Sequence, residues 1–187
     1  MSLSTLDPNS ALIIVDLQKG IVALPVIHPI GDIIAKARAL ADAFRARGLP
    51  VVLVNVAGGA PGRIEQPRPA APRPEGWSEL IPELNQQPED ILVTKHSWGA
   101  FANTGLEALL KARGVTQVVV AGVATAIGVE ATARQAYELG FNVTLALDAM
   151  TDLRAEAQDY SLRHVFPRLG ETGTTQEIIA LLPAGSA

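Results

Sequence analysis

Two short apolar runs, Ala11 to Val15 and Leu49 to Val56, flank a stretch in which Ile33, Ile34, Ala37, Leu40, Ala41 and Phe44 recur three and four residues apart. Continuous apolar runs of this length fit buried strands, and the recurring spacing fits one face of a helix. Gly48 and Pro50 punctuate the return to extended chain. The pattern then repeats. Ile91 to Thr94 reads as a strand, Leu106, Leu109 and Leu110 as a helical face, and Gln117 to Ala121 as a Val-rich strand after Gly114. A helix over about 125–139 and a strand over Asn142 to Leu147 follow. Two helices close the chain, at about 155–166 and 174–182, the second opening with Thr174 and Glu177 at capping-box spacing.

Strands apolar on both faces, separated by helices, predict a parallel sheet covered on both sides. The expected fold class is therefore α/β, a three-layer, doubly wound, mostly parallel sheet, in a single domain over residues 1–187. One segment departs from the rhythm. Residues 57–90 hold seven prolines together with Gly58, Gly59 and Gly62, and read as a long loop over the active edge of the sheet, a lid or an oligomer contact.

Composition narrows the function classes. Hydrophobic residues make up 48% and charged residues 18%, the balance of a globular chain. The net charge of -4 comes with no run of Lys or Arg, so nucleic acid is not an expected partner. No apolar run approaches a membrane span and residues 1–10 do not resemble a leader, so no membrane association and a cytoplasmic location are expected. The chain has no cysteine, which excludes disulfides and a thiol nucleophile alike. His28, His96 and His164 show no metal-ligand spacing, and neither a metal nor a cofactor is expected.

Ligands of open parallel sheets bind beyond the carboxyl ends of the strands. The residues to inspect there are Asp16, Asn55, Lys95, the segment Gly122 to Gly128, and Asp148. Asp16 ends an apolar strand, where desolvation raises a carboxyl pKa towards acid-base use; a turn or cap aspartate is the plain alternative. Lys95 is a candidate to hold substrate or developing negative charge, or else a surface lysine. Backbone N–H groups of Val123, Ala124 and Thr125 through Ile127 and Gly128, at a helix start, offer an anion or oxyanion site. Trp98 and Phe101, with Trp77, are candidates for an apolar pocket wall or for plain packing. Arg63 either reaches a substrate carboxylate or decorates the loop.

Asp16 with Gln18, Lys95 with Gly99-Ala100-Phe101, and Gly122-Val123-Ala124-Thr125 through Val129-Glu130 to Asp148-Ala149-Met150-Thr151-Asp152, in that order and spacing, resemble the isochorismatase-like hydrolase superfamily. The resemblance covers nearly the whole chain. It implies six strands, a homo-oligomer (dimer or tetramer), a small-molecule substrate and a cis peptide at Val123–Ala124. Amidases of the superfamily use Asp, Lys and Cys; Asp16 and Lys95 match the first two positions, and Gly128 stands at the third. Isochorismatases also carry glycine there and hydrolyse a vinyl ether by protonating it from the Asp. On that likeness Asp16 is the general acid, Lys95 its partner, and Gln18, Trp98, Phe101, Val123, Ala124, Thr125 and Ile127 border the substrate, with Gly128 leaving room for a ring. The segment Thr125 to Glu130 is closer to the amidase-like branch. Nicotinamidases add histidines after the second strand, where this chain reads Asn55-Val56-Ala57-Gly58-Gly59. The competing expectations are a relative that binds without turnover, and a flavodoxin-like cofactor module suggested by the sheet pattern alone.

Overall fold

A computed structural model describes residues 3–66 and 72–183, so residues 67–71 of the long loop lie outside the described residues. Six strands form one sheet: β1 Ser10–Val15, β2 Val51–Val56, β3 Ile91–Lys95, β4 Gln117–Val123, β5 Asn142–Thr151 and β6 Glu171–Gly173. Their order is β3-β2-β1-β4-β5-β6, and every pairing is parallel. Strand order therefore reverses between β1 and β4, which is where an open α/β sheet parts its connecting loops into a crevice.

The first short helix, α1, is the single turn Lys19–Val22, and α2 is Ile30–Arg45. After these come α3 Leu106–Ala112, α4 Glu130–Glu138, α5 Ala155–Tyr160, α6 Phe166–Leu169 and α7 Thr175–Leu181. Side chains alternate across a strand, so β1 feeds two cores. Ala11, Ile13 and Val15 pack with Leu106, Leu110, Val129 and Ala133 of the layer containing α3 and α4. Leu12 and Ile14 pack with Ala37, Leu40, Phe44 and Ile178 of the layer containing α2 and α7. The predicted capping box forms: Thr174 Oγ1 accepts from the Glu177 N–H while the Glu177 carboxylate accepts from Thr174.

Three details differ from the sequence-based expectation. The helix expected over 125–139 starts as a wide turn, Thr125–Val129, in which the Val129 N–H reaches back five residues to the Ala124 carbonyl at 3.1 Å. The helix expected over 155–166 contains a second wide turn at Ser161–Val165 and runs on to Leu169. Within the loop, residues 76–81 are docked along residues 17–20, with Gln18 and Leu80 in an antiparallel bridge.

Candidate active site

β1 delivers Asp16 to the carboxyl edge of the sheet, and β3, two strands away, delivers Lys95. Lys95 is long enough to reach across the end of β2. Its Nζ donates to Asp16 Oδ2 at 2.8 Å and to the Ser97 carbonyl at 3.2 Å. Both residues are nearly closed off from solvent, at 5% and 2% exposure, so the pair is intramolecular and water-poor. Asp16 takes up the left-handed region, φ 54°, which short polar side chains tolerate better than most. Its second oxygen, Oδ1, is buried and has no hydrogen-bond partner. Burial pushes the Asp16 carboxyl from its ordinary 3.8 up to about 6, against the opposing pull of the Lys95 ammonium and its hydrogen bond.

The turn after β4 closes the other side. The Val123–Ala124 peptide is cis. Asp152, at 3% exposure beyond β5, accepts from the Ala126 N–H at 2.7 Å and from Leu153 and Arg154 at 2.7 and 3.2 Å. With the Ile127 N–H on the Ala124 carbonyl, two of the donors expected to face an anion, Ala126 and Ile127, are already engaged, and the Val129 N–H shares the same carbonyl. Thr125 is buried and bonds to Gln158, whereas Ile127 is exposed.

Gly128 does not leave the open space expected of a missing side chain. A Cβ at that position stands 2.9 Å from Val15 Cγ1, 3.2 Å from Asp16 Oδ2 and 3.4 Å from the Val123 carbonyl oxygen. The turn has closed onto β1, and glycine is what permits the approach. Gly128 thereby brings backbone against the Asp16 carboxylate.

Other residues picked from the sequence fall outside this cluster. Gln18 is fully buried, but its amide donates to the Val56 and Trp77 carbonyls and accepts from the Val56 N–H, so it ties β2 to the docked loop and has no amide group left for a ligand. Phe101 stacks on Phe141 in the core at 5.8 Å, since its backbone N–H is held by Gln135 of α4. Trp98 is 67% exposed. Asp148 caps α7, accepting from the Thr175 N–H and hydroxyl. Asn55 is spent on Ser78 and Thr94. Two contributors passed over in the sequence are Thr132, which bonds the Gly128 carbonyl at 2.7 Å and the Ala100 N–H at 3.1 Å, and Gln158. A hydroxyl four residues beyond Gly128 on the inner helix face was the available signal for Thr132. Among the described residues, no three His, Asp or Glu side chains gather as a metal would require.

Comparison with known proteins places these residues in context. The isochorismatase domain model matches residues 10–177. The uncharacterized isochorismatase family protein YwoC of Bacillus subtilis is 39% identical over 178 residues, covering 91% of this chain and 93% of its own. The ureidoacrylate amidohydrolase RutB of Variovorax paradoxus is 32% identical, covering 91% and 80%. A solved isochorismatase family protein from Burkholderia thailandensis superposes with a TM-score of 0.92 at 42% identity, covering 97% of this chain and 99% of that one.

Proposed function

Because the chain belongs to the isochorismatase family, we propose that it hydrolyses a small molecule with Asp16 as general acid and Lys95 as its anchor, and with water, not a side chain, adding to the substrate. The observation that carries this reading is the Asp16 carboxyl group: one oxygen fixed by Lys95, the other buried, unpartnered and available, with a pKa raised to about 6. An acid with a pKa near working pH is both populated and able to give up its proton. In a vinyl ether, Oδ1–H protonates the enol carbon and the ether oxygen stabilises the adjacent cation. Water adds to that cationic carbon and returns a proton to Asp16. The resulting hemiketal expels the alcohol and leaves a carbonyl compound. Lys95 keeps the proton on the correct oxygen by occupying the other.

A second reading is favoured by the likeness to RutB, named as a ureidoacrylate amidohydrolase. Here the substrate is an amide or ureide, and the Asp16 carboxylate activates water as a base. Turnover of vinyl ethers, amides and ureides by the wild type and by Asp16→Asn separates the possibilities. The expected result is vinyl ether hydrolysis that falls by about a thousandfold in the variant, the scale of losing a general acid. Asp16-dependent cleavage of amides alone selects the second reading. Binding without turnover of any class makes the chain a ligand-binding relative.

A further inference from the structure

The docked part of the long loop is fixed to the chain just beyond Asp16. Gly20 N–H donates to the Trp77 carbonyl and Lys19 N–H to Glu79, both at 2.9 Å, and Ile81 N–H donates to Leu17 at 3.2 Å. The Trp77 indole packs against Gly20, so close that a Cβ there would stand 2.1 Å from the ring. Arg73 then covers the indole, its guanidinium carbon 4.0 Å from the ring centroid, while Nη2 makes a long 3.5 Å bond to the Gly58 carbonyl beyond β2. A guanidinium held over an aromatic ring by cation–π attraction still has N–H groups to offer a two-pronged acceptor such as a carboxylate.

Arg38, Arg45, Arg134 and Arg163 each sit against an acid. Among the described residues Arg73 forms no ion pair, which is equally true of Arg47, Arg63, Arg113, Arg154 and Arg168; what sets it apart is its contact with the Trp77 ring, which gives it a defined place. That place is above the carboxyl ends of β1 and β2, the edge that also presents Asp16 and Lys95. The catalytic cation offers an anion little, because Lys95 is already neutralised by Asp16 at 2.8 Å. We infer that Arg73, held on Trp77, is a specificity-determining residue that anchors a carboxylate of the substrate. The inference rests on the hydrolase reading for its link to turnover but not for its link to binding.

The test uses Trp98→Phe protein, which leaves Trp77 as the single tryptophan and reports directly on the Arg73 stack. Benzoate and 3-phenylpropionate are titrated against benzamide and 3-phenylpropionamide, following Trp77 emission. The carboxylates should bind saturably and about tenfold or more tighter than their amides, the scale of one charge-assisted contact. Arg73→Ala should remove that preference, and Arg73→Lys should recover only part of it. Equal affinity for acid and amide, a preference that survives Arg73→Ala, or no saturable binding by either series overturns the assignment. Asp16→Asn should leave the preference in place. A protein with the preference and no Asp16-dependent turnover would therefore sink the hydrolase reading while leaving Arg73 as a carboxylate anchor.

Discussion

Removing one member of a buried ion pair leaves the other charged and without solvent, which costs more than the intact pair contributes. Asp16→Asn and Lys95→Met should each lower the unfolding free energy by about 3–5 kcal/mol, whereas the double variant should recover most of the loss. Urea denaturation of the four proteins measures this, and additive losses would show that the two groups are not coupled. Catalysis should report the same carboxyl group. If the protonated form is the acid, kcat/KM falls as pH rises through about 6, the raised pKa of Asp16. A rising limb in that window would instead assign Asp16 the base role of an amide hydrolase. Asp16 and Lys95 were legible in the sequence as polar residues ending apolar strands, but their pairing was not. It depends on β3, β2 and β1 lying side by side, which places residues 79 apart in one contact. Gln18 and Phe101 were expected beside the substrate through family resemblance, and no sequence pattern displays what they contact: the Gln18 amide is held by Val56 and Trp77, and the Phe101 ring stacks on Phe141.

The turn from Gly122 to Glu130 shows what decides an element. Periodicity marked one helix over 125–139, and the periodic part is there. Its first turn is wide, the Val129 N–H reaching the Ala124 carbonyl. Its start is capped by Asp152, a partner that no local pattern displays, which accepts from the Ala126 N–H that has no acceptor within the helix. β6, three residues long and pairing Glu171, Thr172 and Gly173 to Thr144, Leu145 and Ala146, is too short and too polar for periodicity to reveal; it was expected only through family resemblance. At the wide turn beginning with Ser161 the Phe166 N–H reaches back five residues to the Ser161 carbonyl, and Pro167, which has no N–H to continue the regular ladder, follows it. The close approach at Gly128 makes a prediction at this scale. Gly128→Ala should destabilise by about 1–3 kcal/mol through overpacking against Val15 and Asp16, despite alanine's better helix propensity. In a Val15→Ala background the same substitution should cost less, because the atom nearest the new methyl has gone. Thermal or urea melts of this cycle test it, and equal costs in both backgrounds would mean that the turn yields freely. The same contact argues that Gly128→Cys alone places its sulfur in a crowded position and gives little covalent activity.

For the whole molecule, the raised Asp16 pKa ties folding to pH. In the unfolded chain this carboxyl loses its proton near 3.8, and in the folded protein near 6. Between those values the native state binds a proton that the unfolded state does not, so the contribution is stabilising below about 4 and is lost as pH rises through about 6. A shift of this size corresponds to on the order of 3 kcal/mol. Other carboxylates, such as Glu171 beside Ser4, have lowered values and act in the opposite direction, losing stability as pH falls, so the raw stability profile mixes both signs. Subtraction isolates the site. The Asp16→Asn, Lys95→Met double variant lacks the carboxyl group and should gain on the wild type steadily as pH rises from about 4 to about 6, then hold a constant difference. A difference that is flat across the window would mean that Asp16 ionises as easily inside the protein as outside it. The acid role would then lose its physical basis, because a carboxyl group fully ionised well below neutral pH has no proton to give. A matching rise in the stability difference and fall in kcat/KM would identify one group as the source of both.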